Sequence, residues 1–555
     1  MIKNIRVQQY RKLKDMDLAF SESVNAVSGT NGTCKSSILY LISNSFQKVS
    51  TKCDWVKDKK CLSIIHAVNS VANPKIESLT RGDMEYNDPA IGVTGTLFTV
   101  DYYGHNTLDF RRHNSKYENR YAVKPKYRPG TDDILPYCPV IYLGLSRLFP
   151  FGEYYNDEAI IKLKDKLPVE YQNEISKLYE SFTKYSITYD STAKMGDIKK
   201  RANFKSGRDG IDSNTISAGE DNLFIILTAL VSLKYYYESI ESSKQIESIL
   251  LIDELDATLH PYYQIKLLEL FYKFSKEYKI QIIFTTHSMS LLENMLKHKD
   301  NVLYLCDNET SVFVMTEPDI YKIKMHLHSL TSDDIYLDKV IPIFTEDAEA
   351  RHMLEMILSY FENEGSYKEF IEIRRFFHLV DTNIGANNLK GIFNDTRLLR
   401  TTMKAICILD GDQNKNIGNC IITLPGQAAP EKLLIDYATK LLDDDDIFWR
   451  DQMISNKGYN KMWYRENIKD KETNFNAELE QRTANGQSNR GCEREFYKKM
   501  YNDNKSFFEL LYKHWLRNSD NQVEIDSFYK DLNTMFKKVS TYNEINPNEW
   551  EIQQR

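Results

Sequence analysis

The amino-acid sequence predicts an α/β protein of several domains, and three observations point there. Short apolar runs such as Ser248–Ile252 and Ile280–Thr285 end in charged or polar residues, as strands buried on both faces of a parallel sheet do. Strand, polar loop and helix alternate, and they resume after about residue 338. At roughly 150 residues per domain, 555 residues are too many for one core.

Composition narrows the class. With 42% hydrophobic and 27% charged residues and a mean hydropathy of −0.50, the chain is neither disordered nor a membrane protein. Lys and Arg number 72 against 79 Asp and Glu, a net charge of −7, so the chain cannot coat phosphate backbones and any nucleic-acid contact is local. The many Tyr and Phe residues are expected in the core. Eight cysteines with no CxxC pair argue against zinc. The first residues lack the apolar stretch of a signal peptide, and no run reaches the roughly 18 apolar residues that span a bilayer. A reduced, cytoplasmic protein with no membrane contact is expected.

A strand-like stretch ends at Val27, followed by a loop with Gly29, Asn31 and Gly32, then Lys35, Ser36 and Ser37 opening a helix. Such a loop turns backbone N–H groups toward a phosphate chain, aims a Lys at its β/γ oxygens and offers a hydroxyl to Mg²⁺. Cys34 stands where this pattern has Gly, which predicts crowding and slow turnover. A buried strand at 139–143 leads to a polar turn through Arg147, and residues 158–185 have helical spacing. At 216–221 a small Ser-x-Gly-Glu turn (Ser217, Gly219, Glu220) precedes an apolar helix; it is either an anion site or an ordinary capping box. The strand Ser248–Ile252 ends in Asp253 and Glu254, one acid for the Mg²⁺ shell and one to polarise water. A turn at Asp256 follows, and the strand Ile280–Thr285 leads to His287, placed to sense a γ-phosphate.

In this order the pieces resemble the ABC-type ATPases. The resemblance implies ATP and Mg²⁺ as ligands and a homodimer, or higher oligomer, in which the signature turn of one chain closes on the P-loop of the other. It also makes Arg11 a candidate neighbour of the nucleotide. No sustained heptad pattern fills the gap of about 180 residues between P-loop and signature, so the long coiled coil of chromosome-organising ATPases is not expected. Residues 142–148 and 253–261 are similar to ATPases of bacterial anti-phage systems.

In the C-terminal part, a strand at 339–344 is followed by Glu346, and a strand at 376–380 by the polar loop 381–388. A third strand, 404–409, runs into Asp410-Gly411-Asp412, and a fourth covers 419–424. Carboxylates at strand ends suit Mg²⁺ or Mn²⁺, although Asp-Gly-Asp is also a common turn. Glu346 with Asp410 and Asp412 resembles a TOPRIM domain, and an ABC head followed by TOPRIM resembles the OLD nucleases. That resemblance makes Glu431 a further metal ligand and implies cleavage of DNA or RNA. This chain departs from the family with Asp347 after the first Glu and Ala350 at the usual place of the second acid, where Glu349 is one position early. The family's late Lys has no single counterpart legible in the tail. The expected domains are residues 1–338, with a helical insertion at about 151–205, a TOPRIM-like domain at 339–437 and a helical tail at 438–555. The expected role is a defence effector of the retron kind, with an operon partner such as a reverse transcriptase and its RNA/DNA product. The alternative is a non-nucleolytic ATPase sensor or scaffold, like Septu-type subunits, that regulates a separate HNH nuclease.

Overall fold

A computed structural model describes residues 1–72, 88–114, 121–131, 133–148, 160–163, 167–195, 199–206, 217–241, 247–444, 446–489 and 491–552. The chain forms two compact units, Met1–Ser329 and Leu330–Arg555. The boundary falls a few residues before the expected one, and 339–437 and 438–555 lie in the same unit.

The first unit is built on an 11-stranded sheet. Its strands are β1 (Ile2–Tyr10), β2 (Leu13–Ala19), β3 (Val24–Gly29), β4 (Thr96–Tyr102), β5 (His105–Asn114), β6 (Tyr121–Lys126), β7 (Val140–Leu143), β11 (Ser248–Ile252), β12 (Ile280–Thr285), β13 (Asn301–Asp307) and β14 (Val312–Val314), with β8 (Ile160–Leu163), β9 (Ile187–Met195) and β10 (Lys199–Ser206) in a sheet of their own. The order is β6-β5-β4-β1-β2-β14-β13-β3-β12-β11-β7. From β13 to β7 every pairing is parallel, while β1, β2, β4, β5 and β6 pair antiparallel with one another. The P-loop strand β3 is thus separated from the acidic strand β11 by β12, whose end carries His287.

Burial explains the composition of these strands. All residues of β3, β11 and β12 are buried, and alternate residues of one strand feed two different cores. Leu250 and Ile252 join one, Ile249 and Leu251 the other. The helix Ala218–Glu238 is buried almost all round because it packs against both Lys60–Ala72 and Val169–Thr183.

The insertion departs from its helical expectation. Among its described residues only Val169–Thr183 is helical; it starts after Pro168, whose ring suits a helix entry but not an interior. Around it β8, β9 and β10 form an antiparallel sheet of 3 strands. The parts of that expectation at 151–159, 164–166 and 196–198 lie outside the described residues, as does Ile216.

The second unit has a parallel sheet of 4 strands, β15 (Ile341–Thr345), β16 (Phe377–Leu379), β17 (Ile406–Leu409) and β18 (Ile421–Thr423), in the order β16-β15-β17-β18. Residues of the expected tail complete its core. Trp550 is fully buried and packs on Phe370, Phe377, Tyr529 and Phe536, so the last helix, Gln522–Ser540, is clamped to the sheet. Among the described residues, no helix is long and apolar enough to cross a membrane.

Candidate functional site

The P-loop runs from the end of β3 into the helix Lys35–Ser43. Gly29 has φ +144°, and a Cβ there would lie 2.4 Å from the Leu305 carbonyl, so only Gly lets β3 and β13 approach. Asn31 and Gly32 lie exposed in the loop. Lys35 is 8% exposed, and its Nζ donates to the carbonyls of Gly29 (3.0 Å) and Thr30 (2.9 Å). Burial lowers its pKa, and Asp253, Glu254 and Asp256 oppose that shift, which puts the acids of β11 and its turn beside the P-loop Lys. Ser36 is half-buried, and Ser37 accepts a hydrogen bond from Arg11 Nη1 (3.2 Å), so Arg11 reaches the P-loop.

Asp253 is buried and accepts from Thr285 Oγ1 at 2.7 Å. Thr285 Oγ1 in turn accepts from the Glu254 N–H, also at 2.7 Å. His287 N–H donates to the Asp256 carboxylate at 3.2 Å, and burial followed by Lys35 lowers the imidazole pKa. Asp253, Glu254, Asp256, His287 and Lys35 therefore share one site.

The signature turn is built as a complete capping box. Ser217 Oγ accepts from the Glu220 N–H, and the Glu220 carboxylate accepts from the Ser217 N–H and Oγ. Tyr185 OH donates to the other Glu220 oxygen at 3.0 Å. A Cβ on Gly219 would lie 2.4 Å from the Thr258 carbonyl, so this Gly seats the turn on the backbone after Asp256. Among the described residues no hydrogen bond joins Ser217, Gly219 or Glu220 to the P-loop of the same chain.

Cys34 adopts φ 65° and ψ 24°, the left-handed conformation in which L side chains are strained by about 1–2 kcal/mol. The P-loop pattern needs Gly here because of this backbone, not because of space alone. Cys34→Gly is therefore expected to change stability by less than about 1 kcal/mol, relief of strain offsetting unfolded-state entropy. It should also raise ATP turnover severalfold. A thermal melt and a steady-state phosphate-release assay check this, and turnover at or below wild type would show that the side chain is no brake.

In the second unit Glu346 and Asp410 stand at the C-terminal ends of the neighbouring strands β15 and β17, where the strand order reverses and a parallel sheet opens a crevice. Glu346 Oε1 accepts the Asp410 N–H at 3.1 Å. Asp410 is 7% and Glu431 5% exposed, yet among the described residues Asp410 Oδ1 and Glu431 Oε1 have no hydrogen-bond partner. Burial, then Glu346, Asp347, Glu431 and Asp412, pushes the Asp410 carboxyl up to about 8. Burial and Asp347 push Glu431 up to about 7. Glu346 is raised too, by burial first. The structure thus brings Glu346, Asp410 and Glu431 together, with Asp412 exposed at the rim.

Unpartnered buried carboxylate oxygens that resist ionisation fit a divalent cation, and Mg²⁺ needs only one or two carboxylates while keeping several waters. Among the described residues, no three His, Cys, Asp or Glu side chains are grouped so as to hold a metal ion by themselves, so a cation here would rest on one or two carboxylates and water. Two of the acids are otherwise engaged. Asp347 caps the helix Ala348–Asn363 and accepts from Lys498 and from Arg494 (3.0 Å), while Glu349 accepts from Lys498 (3.0 Å) and Asn502 (2.8 Å). Burial alone would raise Asp347, but the cations reverse this and lower it. Glu349 therefore does not act as a free second acid, and Lys498 and Arg494 are the cationic groups of this cleft that the sequence did not single out.

The parallel half-sheet with β12 between β3 and β11, the P-loop and the acid pair give the first unit the fold of an ABC-type ATPase head within a mixed α/β chain. A family described as "AAA domain, putative AbiEii toxin, Type IV TA system" matches residues 110–293. The fold is also similar to an SMC head domain from Thermotoga maritima, with 13% identity and a TM-score of 0.31 over 57% of this chain and 98% of that one. The recombination mediator RecF gives 11% identity and a TM-score of 0.32 over 57% and 98%. An SMC head bound to the C-winged helix domain of ScpA gives 11% and 0.33 over 57% and 96%. No curated protein matches.

Proposed function

We propose that the chain is an ATP-binding and ATP-hydrolysing effector of anti-phage defence whose second unit is a metal-dependent TOPRIM-type nuclease, gated by pairing of two ATPase heads. The observation that carries the nuclease reading is the pair of buried, unpartnered oxygens of Asp410 and Glu431 at the switch point of a parallel sheet. Asp410, Glu431 and Glu346, with Asp412 at the rim, would hold Mg²⁺ or Mn²⁺, which when bound supplies positive charge at a phosphodiester and acidifies water. Lys498 and Arg494 hold Asp347 and Glu349 and add positive charge to a cleft that must admit a polyanion. In the head, Gly29, Asn31, Gly32, Lys35, Ser36 and Ser37 would take the phosphates, Asp253 the Mg²⁺ shell, Glu254 the proton of the attacking water, and His287 the γ-phosphate. Ser217, Gly219 and Glu220 would close on the P-loop of a second copy, which agrees with a turn that makes no hydrogen bond to its own P-loop. The matching family's description as a toxin supports an effector role. Substrate nucleic acid and an operon partner, a reverse transcriptase with its RNA/DNA product or an HNH nuclease, complete the reading.

One observation favours a second reading, a sensor or scaffold without nuclease activity of its own. Among the described residues no three His, Cys, Asp or Glu side chains are grouped so as to hold a metal ion, Lys498 and Arg494 being paired with Asp347 and Glu349. The experiment that separates the readings is purified protein with plasmid DNA or RNA and Mg²⁺ or Mn²⁺, wild type beside Asp410→Ala. Metal-dependent cutting that falls at least about 100-fold in Asp410→Ala supports the nuclease. A wild type that cuts nothing alone but activates a separate nuclease supports the scaffold.

A further inference from the structure

Arg147 follows β7 and is 0% exposed, one of the largest fully buried side chains of the chain. Burial draws its pKa down to about 10, which leaves it charged at neutral pH. A buried charge costs several kcal/mol unless it is well satisfied. Among the described residues no carboxylate lies within ion-pair distance of it, although Asp253, and more weakly Glu254 and Asp256, favour its charged form. Its donors go instead to neutral oxygens on three segments. Nη1 reaches the carbonyls of Leu143 (3.2 Å) and Gly144 (2.9 Å), Nε reaches Asn222 Oδ1 (2.9 Å), and Nη2 reaches the Glu254 carbonyl (2.8 Å). Apolar packing would fill that space without the desolvation cost, so the guanidinium is retained for what its fork connects.

What it connects is the turn after β11 and the signature helix. Glu254 has φ 50°, a conformation that costs a non-Gly residue about 1–2 kcal/mol and persists only where the surroundings over-determine it. Here both flanking peptides are pinned, the N–H of Glu254 by Thr285 Oγ1 and its carbonyl by Arg147. The two pins set the direction in which the Glu254 side chain leaves the backbone. Asn222, which holds Arg147 Nε, lies on the helix capped by Ser217 and donates its own amide to the Ala257 carbonyl at 3.0 Å. Gly219 rests on Thr258. The signature turn, Arg147 and the turn 254–258 are therefore one cross-linked block.

We infer that Arg147 is a positioning residue of the ATP site, holding Glu254 in its left-handed conformation and tying that conformation to the signature helix through Asn222. Engagement of the signature turn by a nucleotide and presentation of the Glu254 carboxylate are then a single mechanical event. This inference rests on the ATPase reading above.

The test compares ATP turnover and equilibrium ATP affinity of the full chain for wild type and Arg147→Lys, each also in a Glu254→Gln background. Lys keeps the charge but cannot fork to three segments. Expected is a fall in kcat of about 10–100-fold with ATP affinity changed less than about threefold, because the P-loop is untouched. In the Glu254→Gln background, Arg147→Lys should cost nothing further, since a residue acting through Glu254 has nothing left to position. Unchanged kcat in folded Arg147→Lys, an equal loss in both backgrounds, or a parallel loss of ATP affinity would each overturn the inference. If Arg147→Lys does not fold, Asn222→Ala is read by the same criteria, with a smaller effect expected. A wild type without turnover would sink the ATPase reading and this inference together, whereas an active wild type with an unaffected Arg147→Lys sinks the inference alone.

Discussion

Replacing Lys35 by Ala should abolish ATP binding. In the structure the ammonium is almost fully buried and already makes two hydrogen bonds, to the Gly29 and Thr30 carbonyls. It is also a cation facing Asp253, Glu254 and Asp256. A triphosphate entering the loop meets this charge first, and without it the same loop presents carbonyls and three carboxylates to a polyanion. Two charge-assisted hydrogen bonds from this ammonium to phosphate oxygens, at about 1.5–3 kcal/mol each, would contribute about 3–6 kcal/mol, so losing them should weaken binding at least about 100-fold. Equilibrium binding of a fluorescent ATP analogue reads this directly. Affinity within a few-fold of wild type would mean that the nucleotide does not sit on this loop.

How much of this site was legible in the sequence depends on what kind of atom does the work. Asp253, Glu254, His287 and Lys35 were legible because side-chain identity carries their chemistry and because the wholly apolar strands β11 and β12 announce buried parallel neighbours. Arg147 was in plain view after β7, but its partners are mostly main-chain carbonyls, which leave no trace in residue types. Lys498 could not be chosen among the lysines of the tail because its partners Asp347 and Glu349 lie about 150 residues earlier. The Ser217 turn carried two readings, anion site and capping box. The capping box is formed, and the anion-site role belongs to the proposed pairing of two copies. The tail read as a separate helical region because its apolar residues repeat at helical spacing. What the spacing does not reveal is that Phe528, Tyr529, Phe536 and Trp550 meet aromatic residues from 361 to 377 and so belong to the core of the second unit.

Glu254→Gln should slow hydrolysis strongly and leave ATP bound, trapping a dimer. The substitution keeps the shape of the side chain and removes only its ability to take a proton. The backbone that carries it is pinned by Thr285 and Arg147, so the amide should occupy the carboxylate's place. A positioned general base contributes about 10²–10⁴ in rate, and turnover should fall by that order while ATP affinity holds. Light scattering would then show an ATP-dependent dimer that persists after wild type has reverted to monomer. The rival base is His287, whose lowered pKa leaves it neutral and able to accept a proton at pH 7. If Glu254→Gln retains wild-type turnover, with a rate that falls only as acid protonates an imidazole, His287 is the base. In that case Asp256, which fixes the His287 backbone, becomes the residue that orients it.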